Sequence, residues 1–268
     1  MKIVSGAGAE VPLCIDYSNV KLDDRVMDAL LSPNQYYYQP IVDVINESVV
    51  GFEMLSRAEI KGIKGRVNIS TLFDNLTDRT RFNFDLFSLK HAIRTISKYK
   101  DKRFYLSVNI EPDHIIKNYF ISHVRRLMSD EDITNIGHRI VLEITERSEL
   151  KRSKPVIDNL DVLASLGFCL SIDDFGTGFS NLALFTWLKP DYLKIDGVFV
   201  DNIGSEEDNP ELLKAIINLS HGIGATVIAE RIETEMQLES LKQRGVQYCQ
   251  GYYLGKPNGS LISKFEIV

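Results

Sequence analysis

From Tyr36 onward, short runs of β-branched and aromatic residues alternate with longer stretches whose apolar positions recur every three or four residues. The runs "YYYQPIVDV", "SVVGFEML", "RFYLSVNI", "RIVLEITE", "FCLSIDDF", "DYLKID", "ATVIAERI" and "YCQGYYL" predict eight strands. The stretches "FNFDLFSLKHAIRTISKY", "KPVIDNLDVLASLG", "NPELLKAIINLSHGIG" and "ETEMQLESLKQRG" predict helices between them. Pro155 near the start and Gly167 just past the end mark the second of these. Strands that alternate with helices predict parallel units, and their number predicts an α/β chain closed into a (β/α)8 TIM-like barrel. Periodicity alone leaves an open doubly wound sheet as the alternative. Residues 1–34 are weakly periodic and are read as an N-terminal extension with one short helix near Asp23–Leu31; residues 35–268 form the domain.

A parallel strand covered on both faces should be nearly all apolar, yet these runs carry Glu53, Asn109, Glu143, Asp173 with Asp174, Lys194, Glu230 and Gln250. A buried charge costs several kcal/mol unless it is paired or holds a metal. In a β/α barrel the C-terminal strand ends converge on one mouth, which is where such residues would meet. Glu53, Glu143, Asp173, Asp174 and Glu230 are five carboxylates, set against Lys194 and Arg57. Crowded carboxylates repel unless cations neutralise them. A donor set of carboxylates and one amide, with neither His nor Cys, suits Mg²⁺ or Mn²⁺ rather than zinc or copper. Adjacent Asp173 and Asp174 suit two ions, the arrangement that supports in-line phosphoryl displacement.

Each residue has a plainer alternative. Asp174 suits the start of the turn in "DDFGTGFS", Lys194 an ion pair with Asp196, and Asn109 a cap for the helix at "EPDHII". Glu146 and Glu233 suit the macrodipole of a helix start. The five histidines lie outside these motifs and are read as structural or surface residues. What favours function is the joint pattern, a polar residue at a comparable point of successive units.

Length and charge narrow the picture further. A chain of 268 residues fits a single barrel, since such barrels run to roughly 250 residues. A net charge of -6 argues against a DNA- or RNA-binding surface. Cys14, Cys169 and Cys249 are scattered, and neither a disulfide framework nor a cysteine zinc site follows. No apolar run approaches a membrane span, so a cytoplasmic protein is expected.

In order and spacing, "YYQPIVDVINESVVGFEMLSR", "LSVNI", "LEITE", "DDFGTGFSNL", "LKID", "AERIET" and "QGYYLGKP" resemble the EAL family of cyclic di-GMP phosphodiesterases from Tyr36 to Pro257. The resemblance implies a barrel with an antiparallel first strand, and hydrolysis of cyclic di-GMP to linear pGpG. It implies that Glu53, Asn109, Glu143 and Asp173 hold one metal, Asp173 bridging to a second ion on Asp174. Glu230 is then a ligand or proton acceptor, and Lys194 orients the attacking water. Arg57 contacts phosphate, and Gln250 and Gln39 line the nucleotide pocket. Glu146 braces the loop after Asp174, and Glu233 supports the site from behind. A homodimer is the assembly it suggests. Three residues depart from the family pattern: Met54 for Ala and Ser56 for Leu, both expected on the outer face, and Arg231 for Gly, placed to shift Glu230. The residues carried over are all present, which favours an active enzyme. The competing class is an EAL-like module that binds cyclic di-GMP or a protein without cleavage, and a third reading is a phosphodiesterase for another nucleotide.

Overall fold

The computed structural model describes residues 36–57, 73–74, 76–99, 102–130, 136–144, 150–176 and 182–261. The expected helix at Asp23–Leu31 and the expected loop-bracing residue Glu146 lie outside them. The chain opens with a hairpin of β1 (Tyr36–Asp43) and β2 (Ser48–Ser56). Asp43 Oδ1 closes its turn by accepting the backbone N–H groups of Ile45 at 3.0 Å and Asn46 at 2.9 Å, the local bond that makes Asp a turn residue. Strands β3 (Tyr105–Ile110), β4 (Ile140–Ile144), β5 (Cys169–Phe175), β6 (Tyr192–Ile195), β7 (Thr226–Ala229) and β8 (Tyr248–Cys249) follow. All eight join in sequence order into a closed barrel. β1 runs antiparallel to both β2 and β8, and every other pairing is parallel. The fold is therefore the TIM-like barrel with a reversed first strand.

Helices α1 (Asp78–Lys98), α2 (Pro112–Ile115), α3 (Asn118–Asp130), α4 (Lys154–Ser165), α5 (Pro210–Ile223) and α6 (Glu235–Gln243) lie between strands. Their ends follow local chemistry. The Thr77 side chain accepts the Thr80 N–H and starts α1 ahead of "FNFDLF", while Gly224, at φ 80°, ends α5. Thr234 and Gln237 form a reciprocal capping box on α6. α3 is an amphipathic helix that the strand-and-helix rhythm did not single out; it buries Phe120, Ile121 and Val124. Among the described residues, no helix is long and apolar enough to cross a membrane.

Two strands fall at least four residues short of their sequence runs. β7 stops at Ala229 because Arg231 takes φ 58°, which ends the extended backbone. β8 ends at Cys249, where the chain bends into a turn with the Gly255 N–H donated to the Gly251 carbonyl. The period-two alternation then sorts side chains into two clusters. Outward residues such as Leu106, Leu142, Leu193 and Val227 join the helices in one large core. Met54 belongs to it, so the residue beside Glu53 packs outward. Inward, Ile41, Tyr105, Val141 and Ile228 form a separate cluster with Cys169, Tyr192 and Tyr248 against it. That plug fills the N-terminal end of the strands and leaves the opposite end for the polar residues.

Candidate metal-binding active site

At the C-terminal mouth, successive strands each deliver one inward polar side chain. Asn109 is the cross-strand partner of Glu143, and Glu53 stands opposite both Gln39 and Ser107. Asp173 and Asp174 are neighbours in sequence, and a regular strand would send them to opposite faces. The β5–β6 register breaks between Ile172 and Phe175, and Asp174 takes φ 55°. This irregularity re-aims both carboxylates: Asp173, Asp174 and Glu230 present ligand oxygens all within 4.8 Å of one another.

The Lys194 ammonium lies at the centre. Its Nζ is 2.7 Å from Glu230 Oε1, 2.9 Å from Asp173 Oδ1, 3.3 Å from Glu143 Oε2 and 3.4 Å from Glu53 Oε2. One ammonium has three protons to donate, so four carboxylates exceed what it can serve. Glu53 is also held by Gln250, whose Nε2 donates at 2.6 Å, and by Asn109, whose Nδ2 donates at 3.4 Å. Glu143 is fully buried, and its Oε1 has no hydrogen-bond partner among the described residues.

The electrostatics match this excess of acid. Burial pushes the Glu143 carboxyl well above the usual range, with Lys194 opposing and Glu53 and Asp173 adding to the rise. Burial, and then Asp173, push Glu230 up to about 8 and Asp174 to about 6, in both cases against Lys194. Burial alone would lower the Lys194 value, but Asp173, Glu143, Glu230 and Glu53 together hold it well above an ordinary lysine. Without a further cation the mouth retains protons that free carboxylates would lose at neutral pH.

The geometry settles several alternatives. Asn109 bonds Glu53 and does not cap the next helix, whose N-cap is Glu111. Lys194 turns to the acidic cluster, while Asp196 Oδ1 accepts the Val198 N–H at 2.7 Å. Asp174 is both a left-handed turn residue and a member of the acidic triad. Gln39 lines the mouth, its Nε2 3.3 Å from the Gly255 carbonyl. Arg57 is half-buried at the end of β2, its guanidinium on the Ser56 carbonyl at 2.9 Å. Glu233 is exposed at the rim, apart from the cluster. Arg231 reaches away from Glu230 to Asp201, 3.0 Å distant.

One group beside the mouth was not singled out in the sequence. Asp85 on α1 is buried, its Oδ2 2.6 Å from Nδ1 of the fully buried His114 and accepting the Glu111 N–H at 2.9 Å. This fixes the turn that leaves β3 just after Asn109. The available signal was an Asp at an apolar position of the helical repeat in "FNFDLF".

Fold and site together define a class: a β/α barrel with a reversed first strand and an oxygen-lined acidic mouth. The chain belongs to the EAL domain family, which it matches over residues 24–257. That match begins inside the 1–34 segment read as an extension. The probable cyclic di-GMP phosphodiesterases PdeN and PdeA of Escherichia coli K12 are each 31% identical to it, over 91% and 96% of this chain. The chain spans only 48% and 34% of those two relatives' length. Among solved structures, the PaMucR phosphodiesterase in complex with c-di-GMP superposes with a TM-score of 0.77 at 27% identity, over 89% of this chain and 98% of that one. An EAL domain protein from Listeria monocytogenes EGD-e gives 0.75 at 28% identity, over 90% and 95%.

Proposed function

We propose that this domain hydrolyses one phosphodiester bond of cyclic di-GMP to linear pGpG with two Mg²⁺ or Mn²⁺ ions. The observation that carries the reading is the convergence of Glu53, Glu143, Asp173, Asp174 and Glu230 on one mouth with a single ammonium among them. The donors are oxygens throughout, and the buried Glu143 Oε1 has no other partner among the described residues, so the set fits a hard divalent cation. Glu53, Asn109, Glu143 and Asp173 would hold one ion, and Asp173 with Asp174 a second. Such ions, when bound, lower the pKa of a water and stabilise charge on phosphoryl oxygens.

The chain's own groups supply the rest. Lys194 Nζ donates a hydrogen bond that orients the attacking water. Glu230, beside that ammonium, is ligand or proton acceptor for the same water. Arg57 offers a planar fork of donors to phosphate oxygens, and Gln39 and Gln250 line the nucleotide path. The water oxygen bonds to phosphorus as its proton passes to Glu230, the P–O3′ bond breaks, and the 3′ oxygen takes a proton from solvent and leaves as a hydroxyl. Names of relatives that share about 30% identity over most of the chain support this substrate. A homodimer is part of the same reading and rests on family likeness.

Purified protein incubated with cyclic di-GMP and either ion should release pGpG, resolved by chromatography. Tight nucleotide binding with no pGpG under either ion would overturn hydrolysis and leave a receptor; faster turnover of another cyclic nucleotide would overturn the substrate.

A further inference from the structure

Arg231 immediately follows Glu230 and lies at the rim of the acidic mouth. It holds φ 58°, a backbone region that favours glycine, so this arginine sits where a side chain is costly. Its stem lies against Gly197, where an added Cβ would stand 2.1 Å from Arg231 Cδ. The backbone on either side is pinned, with the Glu230 N–H on the Ile195 carbonyl at 3.2 Å and the Ile232 N–H on the Gln250 carbonyl at 3.1 Å. Only the guanidinium is loosely held: 56% of the side chain is exposed, and its ion pair with Asp201 is exposed as well. Such pairs are weak and exchange easily.

Two cavities, of about 350 and 260 Å³, meet at Leu55, Asp173 and Asp174; the first is the barrel mouth, and the second extends from it between the outer face of β2 and β3 and helix α1. Arg231 lines the first and Arg57 the second. Lys194, the other cation of the first cavity, is buried among four carboxylates, and in the phosphodiesterase reading it donates to the attacking water rather than to a second phosphate. Each arginine therefore borders a different cavity beside Asp173 and Asp174, with its guanidinium held on Asp201 or on the Ser56 carbonyl. Cyclic di-GMP carries two phosphodiesters, and only one can lie over Asp173 and Asp174 at a time.

We infer that Arg231 is a substrate-binding residue that takes the second phosphate of a cyclic dinucleotide, so that this site selects ligands with two phosphates. The inference rests on the phosphodiesterase reading. On binding, the guanidinium exchanges the Asp201 carboxylate for a phosphate oxygen, an acceptor its planar fork fits equally well. Loss of that contact is felt in substrate binding more than in the chemical step.

The test compares wild type with Arg231→Gly, Arg231→Lys and Asp201→Asn on cyclic di-GMP and on bis-p-nitrophenyl phosphate, a diester with one phosphate. For Arg231→Gly we expect KM for cyclic di-GMP to rise about tenfold, with kcat changed far less and little rise in KM for the one-phosphate diester. Lysine should restore part of the loss, and Asp201→Asn should lower KM by freeing the guanidinium. Glycine relaxes the left-handed backbone, so an unchanged or higher melting temperature excludes misfolding as the cause. An unchanged KM in Arg231→Gly, or a fall in kcat alone, overturns the inference while wild-type turnover leaves the phosphodiesterase reading intact. A wild type that neither cleaves nor binds cyclic di-GMP overturns both.

Discussion

At the N-terminal end of the barrel interior, Tyr105 and Tyr192 stack with ring centroids 5.3 Å apart, and Ile41, Val141 and Ile228 close the space around them. Two and four residues further along the same strands, the inward positions become Ser107 and Asn109 on β3, Ser171 and Asp173 on β5, and Lys194 on β6. One backbone geometry thus carries two opposite fillings. The aromatic end is neutral; burial raises the Tyr105 phenol well above its ordinary value. The acidic end gathers carboxylates that destabilise one another. The contrast teaches a division of labour in which the plug and the outer helices tolerate a mouth that is costly to fold and specific in what it binds.

Exchanging the properties of the two ends would break this division, and the largest effect should come at the mouth. Glu53→Ala removes the carboxylate that Gln250, Asn109 and Lys194 all address. Turnover should fall by at least about a thousandfold with the fold intact, as expected for loss of an electrostatic and metal-holding group. Near-normal turnover would refute the ligand role. At the plug, Tyr105→Ala should do the reverse. It empties a buried aromatic site and should cost about 3–5 kcal/mol of unfolding free energy, read from urea midpoints. If that variant kept wild-type stability while losing activity selectively, the plug would belong to the site.

The barrel was legible because β/α alternation is a strong, repeated signal, and the mouth because each charge interrupts an apolar run. Glu143 in "RIVLEITER" is the clearest case: it is wholly buried, in register with Asn109 on one side and Ser171 on the other. What the runs could not show depends on backbone detail. Nothing in "SIDDF" announces the register break that turns both Asp173 and Asp174 inward. Four-fold sharing of Lys194 is likewise a product of closure, since Glu53 and Glu230 are 177 positions apart in sequence. The reversed direction of β1 came from family likeness, although a signal was present: the three residues between "YYYQPIVDV" and "SVVGFEML" suit a hairpin and are too few for a parallel crossover.

A smaller effect concerns protons and metal at the mouth. In the metal-free protein Glu230 sits at about 8 and Asp174 at about 6, against 4.5 and 3.8 for the free groups. The folded state therefore binds protons that the unfolded chain has released. These two groups favour folding fully below the unfolded values, and that contribution is lost as pH rises through about 6 and then about 8. A divalent ion competes with those protons and binds only the folded state. The rise in melting temperature on replacing EDTA with Mn²⁺ should thus be small at pH 6 and larger at pH 8.5. An equal rise at both values would mean that the ion does not displace protons from this cluster.

The smallest effect should come from an ion pair in neither end, which makes it the control for the comparison. Arg244, after α6, donates to Asp208 Oδ2 at 3.0 Å, and the same oxygen accepts the Gly204 N–H at 3.0 Å. The Arg244 hydrogen bond and then the Gly204 N–H lower the Asp208 carboxyl below its usual value. A lowered carboxyl stabilises the fold above its unfolded value and loses that contribution as pH falls through the folded one. Asp208→Asn should therefore cost about 0.5 kcal/mol near pH 7, in the range of surface pairs, and the gap to wild type should close as pH falls through the lowered folded value. Turnover of cyclic di-GMP should not change. A loss of turnover in Asp208→Asn would show that the helical sheath helps set the mouth, and the separation of stable plug from reactive rim would have to be redrawn.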